Sequence, residues 1–285
     1  MTALNIVMAG DVMLGRGIDQ VLPQPAPPEL HEPFVKSALD YVALAERRNG
    51  RIPRPIPFEY VWGEALGAFA AADVRIINLE TSVTRRGRPE PKGIHYRMAP
   101  EHVPVLSVAG VDCCILANNH VLDWGCEGLL DTLDALHAAG IQTAGAGRDA
   151  AEASTPARIT ARDGRAVLVY ALATPTSGVA PEWEATEKRP GVAFLDAPSG
   201  KSASAIADQI LSKRRREDLV ILSIHWGVNW GYHIPASENA FARELVDRAA
   251  VDVVLGHSSH HPKSIEVRRD RPILYGAGDL INDYE

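Results

Sequence analysis

The sequence predicts a layered α/β fold. Short, continuous apolar runs rich in β-branched residues recur along the chain, and helical patterns separate them. A run that is apolar throughout, rather than alternating, belongs to a strand buried on both faces, so the sheet is covered on each side. Polar residues with chemistry to offer follow these runs, where α/β folds gather functional groups at the carboxyl ends of strands.

Strands are read in LNIVMAG from Leu4, VRIINLE from Val74, VDCCILANN from Val111, AVLVYAL from Ala166, LVILSIHWG from Leu219, VDVVLGH from Val251 and PILYGAG from Pro272. Helical spacing covers roughly Tyr60 to Ala72, Glu127 to Ala139, Ser202 to Lys213 and Ser237 to Ala249. In the second of these, Leu129, Leu130, Leu133 and Leu136 repeat at helical intervals and Gly140 supplies the stop. One region breaks the rhythm. Between Leu22 and Phe58 the chain carries PQPAPPELHEP and RIPRPIPF around a helical piece from Phe34 to Arg47. Proline at that density excludes central strands and leaves an ordered surface excursion or a lid. The expected organisation is one domain over residues 1–285 with this excursion at about 22–58.

Composition narrows the function. Hydrophobic residues make up 46% and charged residues 23%, as in ordinary globular proteins. A net charge of -7 argues against a surface that collects phosphate backbones, so nucleic acid is not an expected partner. No stretch is long and apolar enough to serve as a membrane anchor. Cys113, Cys114 and Cys126 lack CxxC spacing and read as thiols of a reducing compartment. With the first strand starting by Leu4 there is no room for a leader, which points to the cytoplasm.

The strand ends carry the functional argument. Asp11 follows the first run, Asn78-Leu79-Glu80 the second, and Asn118-Asn119-His120 the third, with Asp123 a few residues on. His225 ends the fifth, and Gly256-His257 with His260 and His261 the sixth. Burying amides and imidazoles without partners costs several kcal/mol, roughly 2 to 7 per group, so something polar is expected to face them. Any one histidine at a strand end has a structural explanation, but five such ends together make a metal or acid/base site the default reading. Carboxylates with imidazoles suit one or two divalent ions such as Mn, Fe, Zn or Ca. Around them, Trp226, Asn229, Trp230 and Tyr232 are candidates for a wall against a peptide-like or small-molecule substrate, and Arg16 for an anion on it.

The order GD, NLE, NNH, HWG, GHxxH resembles the capsule-biosynthesis (CapA, or PGA_cap) branch of the calcineurin-like metallophosphoesterase superfamily over nearly the whole chain. The resemblance implies a four-layer αββα sandwich with a metal cluster at the strand ends. By position it implies Asp11, Glu80 and His260 around one ion and Glu80, Asn119, His225 and His257 around its neighbour. It makes His120 the leaving-group acid, oriented by Asp123; the turn itself suggests Asn118 as its brace and as a residue of the substrate side. The chain departs from the superfamily at Met13, where DxH would place an imidazole, at Glu80 in place of the bridging aspartate, and at GHSSH in place of GHxH. Relatives continue beyond GDLINDYE, so either a carboxyl-terminal segment is missing or this member ends early; Asp279 and Asp283 belong to the expected site rim.

Three functions follow. The first is a metal-dependent hydrolase for a peptide-like or poly-γ-glutamate-type substrate. The second is a metal-assisted epimerase at a peptide Cα, using bases such as Asp11, Asp123 or Asp279 with the surplus histidines. The third is a non-catalytic component of polymer synthesis or export.

Overall fold

The computed structural model describes residues 3–284. It is a mixed α/β structure built on two large sheets. The first is wholly parallel, in the order Asp279–Ile281, Ile6–Val12, Val74–Leu79, Cys113–Ile115, Gln142–Ala144. The second runs Ile265–Arg268, Arg271–Leu274, Val253–His257, Leu219–His225, Ala166–Ala173, Ala157–Thr160, with its four inner strands parallel and an antiparallel strand at each edge.

Alternation along the strands decides what each face meets. Val167, Val169, Ala171, Ile221 and Leu255 share one apolar cluster with Ile76, Ile77 and Ile115 of the first sheet. Leu168, Val220, Leu222 and Val254 instead pack with Ala203, Ala207 and Ile210 of the helix Gly200–Lys213 and with Phe241 and Leu245 of the helix Ala236–Asp247. The helix Gly125–Ala138 buries Leu129, Leu133 and Leu136, and Gly140 at φ +76 follows it. Both observations match the spacing read in the sequence.

Two expected helices differ in extent. The piece at Phe34 to Arg47 begins later, at Ala38, because the Ser37 hydroxyl caps it by accepting from Leu39 N; it ends at Asn49. The stretch from Tyr60 divides at Gly63 (φ +49) into a 3-10 turn, Phe58–Trp62, and a helix, Ala65–Ala71. The proline-rich segment contributes no strand to either large sheet. It is pinned by Asp19, whose buried carboxylate accepts from Ala26 N at 2.7 Å, from Ala99 N at 2.8 Å and contacts His102 Nδ1 at 2.7 Å. Among the described residues, no helix is long and apolar enough to cross a membrane.

Candidate metal centre and active site

Five parallel strands deliver their carboxyl ends to one place. Asp11 lies beside Asn78 on one side and beside Asp279 on the other, and a register shift falls at Asp11. Such irregularities re-aim side chains near functional sites. In the second sheet His225 pairs in register with His257, the last residues of adjacent strands, so their rings meet at 4.9 Å. The loop after Ile115 brings Asn118, Asn119 and His120 against Glu80, whose Oε1 lies 3.8 Å from His120 Nε2 and 4.0 Å from His225 Nε2.

The first layer around this point is held by amides. Asn78 Nδ2 donates to Asp11 Oδ1 at 2.8 Å and to Glu80 Oε2 at 3.1 Å, so one amide braces both acids. Asn118 Nδ2 donates to Asn78 Oδ1 and to Leu79 O, while its Oδ1 accepts from His120 N and Val121 N. Asn118 thereby fixes the turn that aims Asn119 and His120.

Among the described residues, the buried polar atoms without a protein partner include Asp11 Oδ2, Asn119 Oδ1 and His225 Nε2. His225 Nδ1 lies 2.7 Å from His257 Nδ1, and in the tautomer that carries its proton on Nδ1 His225 Nε2 has a free lone pair. All three are then electron-pair donors, and two groups of ligand atoms lie close enough to share a cation: Asp11, His225 and His257, and Asp11, His260 and Asp279. Asp11 is common to both. Electrostatics agree. Burial pushes the Asp11 carboxyl up to about 6, and burial together with Asp11 drives Glu80 well above the carboxylate range, so the acids lack compensating positive charge. Burial moves His257 down to about 3 and His120 to about 4, and burial with the neighbouring His257 moves His225 well below the usual imidazole range. Neutral imidazoles beside charge-hungry carboxylates are the donor set a divalent cation requires.

His120 stands beside this group with a support of its own. Its Nδ1 lies 2.7 Å from Asp123 Oδ2, which also accepts from Tyr96 N at 2.6 Å. Lys92 Nζ reaches Asp123 Oδ1 at 2.7 Å and the Asn119 carbonyl at 2.5 Å, and lies 3.3 Å from His120 Nδ1. Despite complete burial, His120 and Lys92 keep Asp123 below its ordinary value. An ionised Asp123 holds the Nδ1 proton of His120 and leaves Nε2 facing the carboxylates.

Comparison with known proteins identifies the family. Residues 5–284 match the family described as bacterial capsule synthesis protein PGA_cap. The chain belongs to that family. It is 47% identical over 286 residues to a probable polyglutamine synthesis accessory protein of Mycobacterium tuberculosis strain H37Rv, covering 99% of this chain and 75% of the relative. It is 25% identical over 284 residues to the capsule biosynthesis protein CapA of Bacillus anthracis, covering 98% of this chain and 60% of the relative. The PGA biosynthesis protein CapA of Bacillus subtilis matches at 25% identity, over 98% of this chain and 63% of that protein.

In this PGA_cap chain Asp11, Glu80, Asn119, His120, Asp123, His225, His257 and His260 come together as the strand ends suggested. The substrate side needs correction. Trp226 is buried, stacks on Tyr275 and donates to its carbonyl at 3.1 Å; it is the first residue past the strand Leu219–His225 and packs into the second apolar cluster, away from the site. Arg16 is buried too, its guanidinium forked onto Asp283, 2.9 Å from Glu32 Oε1 and 4.1 Å over the Tyr41 ring, so protein carboxylates already hold it. Asn118 braces the turn and is fully buried rather than lining a substrate face. Trp230 stays at the rim, exposed and packed against His260 and His261. Asn229 is exposed and acts through its carbonyl, which accepts from His260 N at 3.1 Å. Sequence reasoning missed Lys92, which lies in a Pro/Gly-rich loop with no periodic signal.

Proposed function

We propose that this chain is a metal-dependent hydrolase of the CapA type acting on a peptide-like, poly-γ-glutamate-type substrate. The observation that carries the reading is that Asp11 and His225 offer ligand atoms within 4.8 Å of one another and of His257, while Asp11 Oδ2, Asn119 Oδ1 and His225 Nε2 are buried without a protein partner, beside raised carboxyls and neutral imidazoles. Asp11, Glu80, Asn119, His225, His257 and His260 would hold the metal, which when bound would supply Lewis acidity. The remaining steps belong to side chains of this chain. His120 takes up at Nε2 the proton that the attacking water loses and passes it to the leaving group, while Asp123 stabilises the imidazolium that forms and keeps the ring in place. Lys92 holds the Asn119 carbonyl and Asp123 together, so the amide and the imidazole keep a fixed spacing. Trp230 and Tyr232, exposed beside His260 and His261, provide a rim along which an extended chain can lie.

The substrate class follows the names of the relatives, which refer to polyglutamine synthesis, capsule biosynthesis and PGA biosynthesis. We read the architecture as a four-layer αββα sandwich, on the apolar cluster that joins both sheets and the second cluster that joins the outer face to two helices. The free thiols of Cys113, Cys114 and Cys126 suit a reducing compartment such as the cytoplasm.

A second reading is epimerisation at a peptide Cα. It draws on His120, neutral and with its proton held at Nδ1, which presents Nε2 as a base. One experiment separates the two. Metal-loaded protein is incubated in deuterated solvent with poly-γ-glutamate and a panel of peptides and phosphate esters. Release of amine or phosphate that is lost in Glu80→Ala supports hydrolysis; deuterium entering an uncleaved peptide overturns it in favour of epimerisation.

A further inference from the structure

The site contains a carboxylate that the resemblance to metallophosphoesterases does not supply. Asp279 begins the short strand Asp279–Ile281, which adds in parallel to Ile6–Val12 so that Asp279 stands in register with Asp11. Side chains of registered neighbours leave the sheet on the same side. The approach is close: a Cβ at Gly10 would fall 2.0 Å from Gly278 O, and Asp11 N donates to that carbonyl at 3.0 Å. Glycine at position 10 therefore permits the pairing that delivers Asp279.

His260 completes the group. Its Nδ1 lies 2.9 Å from Asp279 Oδ1 and 4.0 Å from Asp11 Oδ2, so one ring nitrogen faces both acids. All three side chains are more than nine-tenths buried, and Asp11 Oδ2 is the atom with no hydrogen-bond partner. The ring is wedged between Trp230 and Tyr284, and the turn before it passes through Ser258 at φ +100, a conformation costly for a residue with a Cβ. Where the superfamily pattern would place an imidazole, Met13 is fully buried and its sulfur accepts from Tyr284 Oη at 3.6 Å. A thioether is a poor donor for a hard cation.

We propose that Asp279 is a metal ligand in place of the imidazole missing at Met13, and that it makes the two cation positions chemically unequal. This rests on the metal-binding part of the reading above. The outer position, Asp11, His260 and Asp279, offers two carboxylates and one imidazole and takes a hard ion such as Mn²⁺ or Ca²⁺. The inner position, Asp11, His225 and His257, is richer in imidazole and takes Zn²⁺ or Fe²⁺.

The test counts ions rather than turnover. Wild type and Asp279→Asn are loaded with Mn²⁺ and Zn²⁺ together, exchanged into metal-free buffer, and assayed by mass spectrometry, with Mn²⁺ affinity measured by titration. Asparagine still accepts a hydrogen bond from His260, so a purely orienting role leaves binding intact. The expected result is two ions in the wild type, one of them Mn²⁺, and in the variant a retained Zn²⁺ with Mn²⁺ affinity lowered by about 100-fold or more. Two ions in both proteins with unchanged Mn²⁺ affinity overturn the assignment of Asp279, as does a single ion indifferent to the substitution. No ion in the wild type overturns the metal reading itself. If the variant does not fold, pulsed electron spin resonance of Mn²⁺ in the wild type decides. Nitrogen coupling from one imidazole is expected, and coupling from two or more overturns the outer donor set.

Discussion

The Asp123 carboxylate lies 2.7 Å from His120 Nδ1 with both side chains buried, and the two residues carry different loads. Asp123 also accepts from Lys92 and from the Tyr96 amide, whereas His120 Nε2 faces the site. His120→Ala is expected to abolish turnover with a melting temperature close to the wild type. Asp123→Ala is expected to lose turnover and also about 1–3 kcal/mol of stability, because buried donors lose their acceptor. Melts and amine or phosphate release measured on both variants check this. Full activity in His120→Ala would remove it from the proton-transfer role.

Arg16 yields a stability prediction where sequence alone suggests a binding one. Its guanidinium neutralises Glu32 from the proline-rich excursion and Asp283 from near the other end of the chain, with side chains 2% to 7% exposed. Arg16→Met leaves two buried carboxylates without their cation and is expected to cost about 3–5 kcal/mol. Urea denaturation reads the loss directly. Were Arg16 a substrate residue instead, the denaturation midpoint would hold and only ligand affinity would fall.

What was legible in the sequence, and what was not, follows from range. Strand ends were legible because continuous apolar runs mark parallel strands and their next residues share one edge, which brought in Asp11, Glu80, Asn119, His120, His225 and His257. Asp279 reads from sequence as a rim residue or a base, not as a neighbour of Asp11, because a three-residue strand that begins with an acid has no hydrophobic pattern and its partner lies at the opposite end of the chain. Lys92 and Arg16 were opaque for a similar reason: contacts 31 and 267 residues away in sequence leave no local trace. Trp226 was misjudged. It is the first residue past the strand that His225 ends, and it packs into the second apolar cluster, away from the site.

The tryptophans can therefore be separated. Trp226 fills the second apolar cluster with Phe241 and Tyr275, and Trp226→Ala is expected to cost about 3–5 kcal/mol. Trp230 is 65% exposed, and Trp230→Ala is expected to change stability by no more than about 0.5 kcal/mol while weakening binding of peptide-like substrates. Paired chemical denaturation and substrate saturation curves distinguish them; equal destabilisation by both would contradict the placement of Trp230 at the rim.

A pH dependence is built into Glu238, in the helix Ala236–Asp247. Its carboxyl is buried over Gly227, and burial raises it from 4.5 to about 7 although the Lys263 ammonium opposes the rise. The sign follows from comparing the two states. At pH values below 4.5 the group is protonated in both folded and unfolded chains and carries no penalty. As pH climbs towards 7 the unfolded chain ionises freely while the folded chain resists, so stability falls through that window and the loss is complete above it. Glu238→Gln keeps the shape and removes the charge. Relative to the wild type, the variant is expected to gain in urea midpoint between pH 4.5 and pH 7, with little difference at the acid end. A difference that stays constant across that range would mean that burial of the Glu238 charge plays no part in stability.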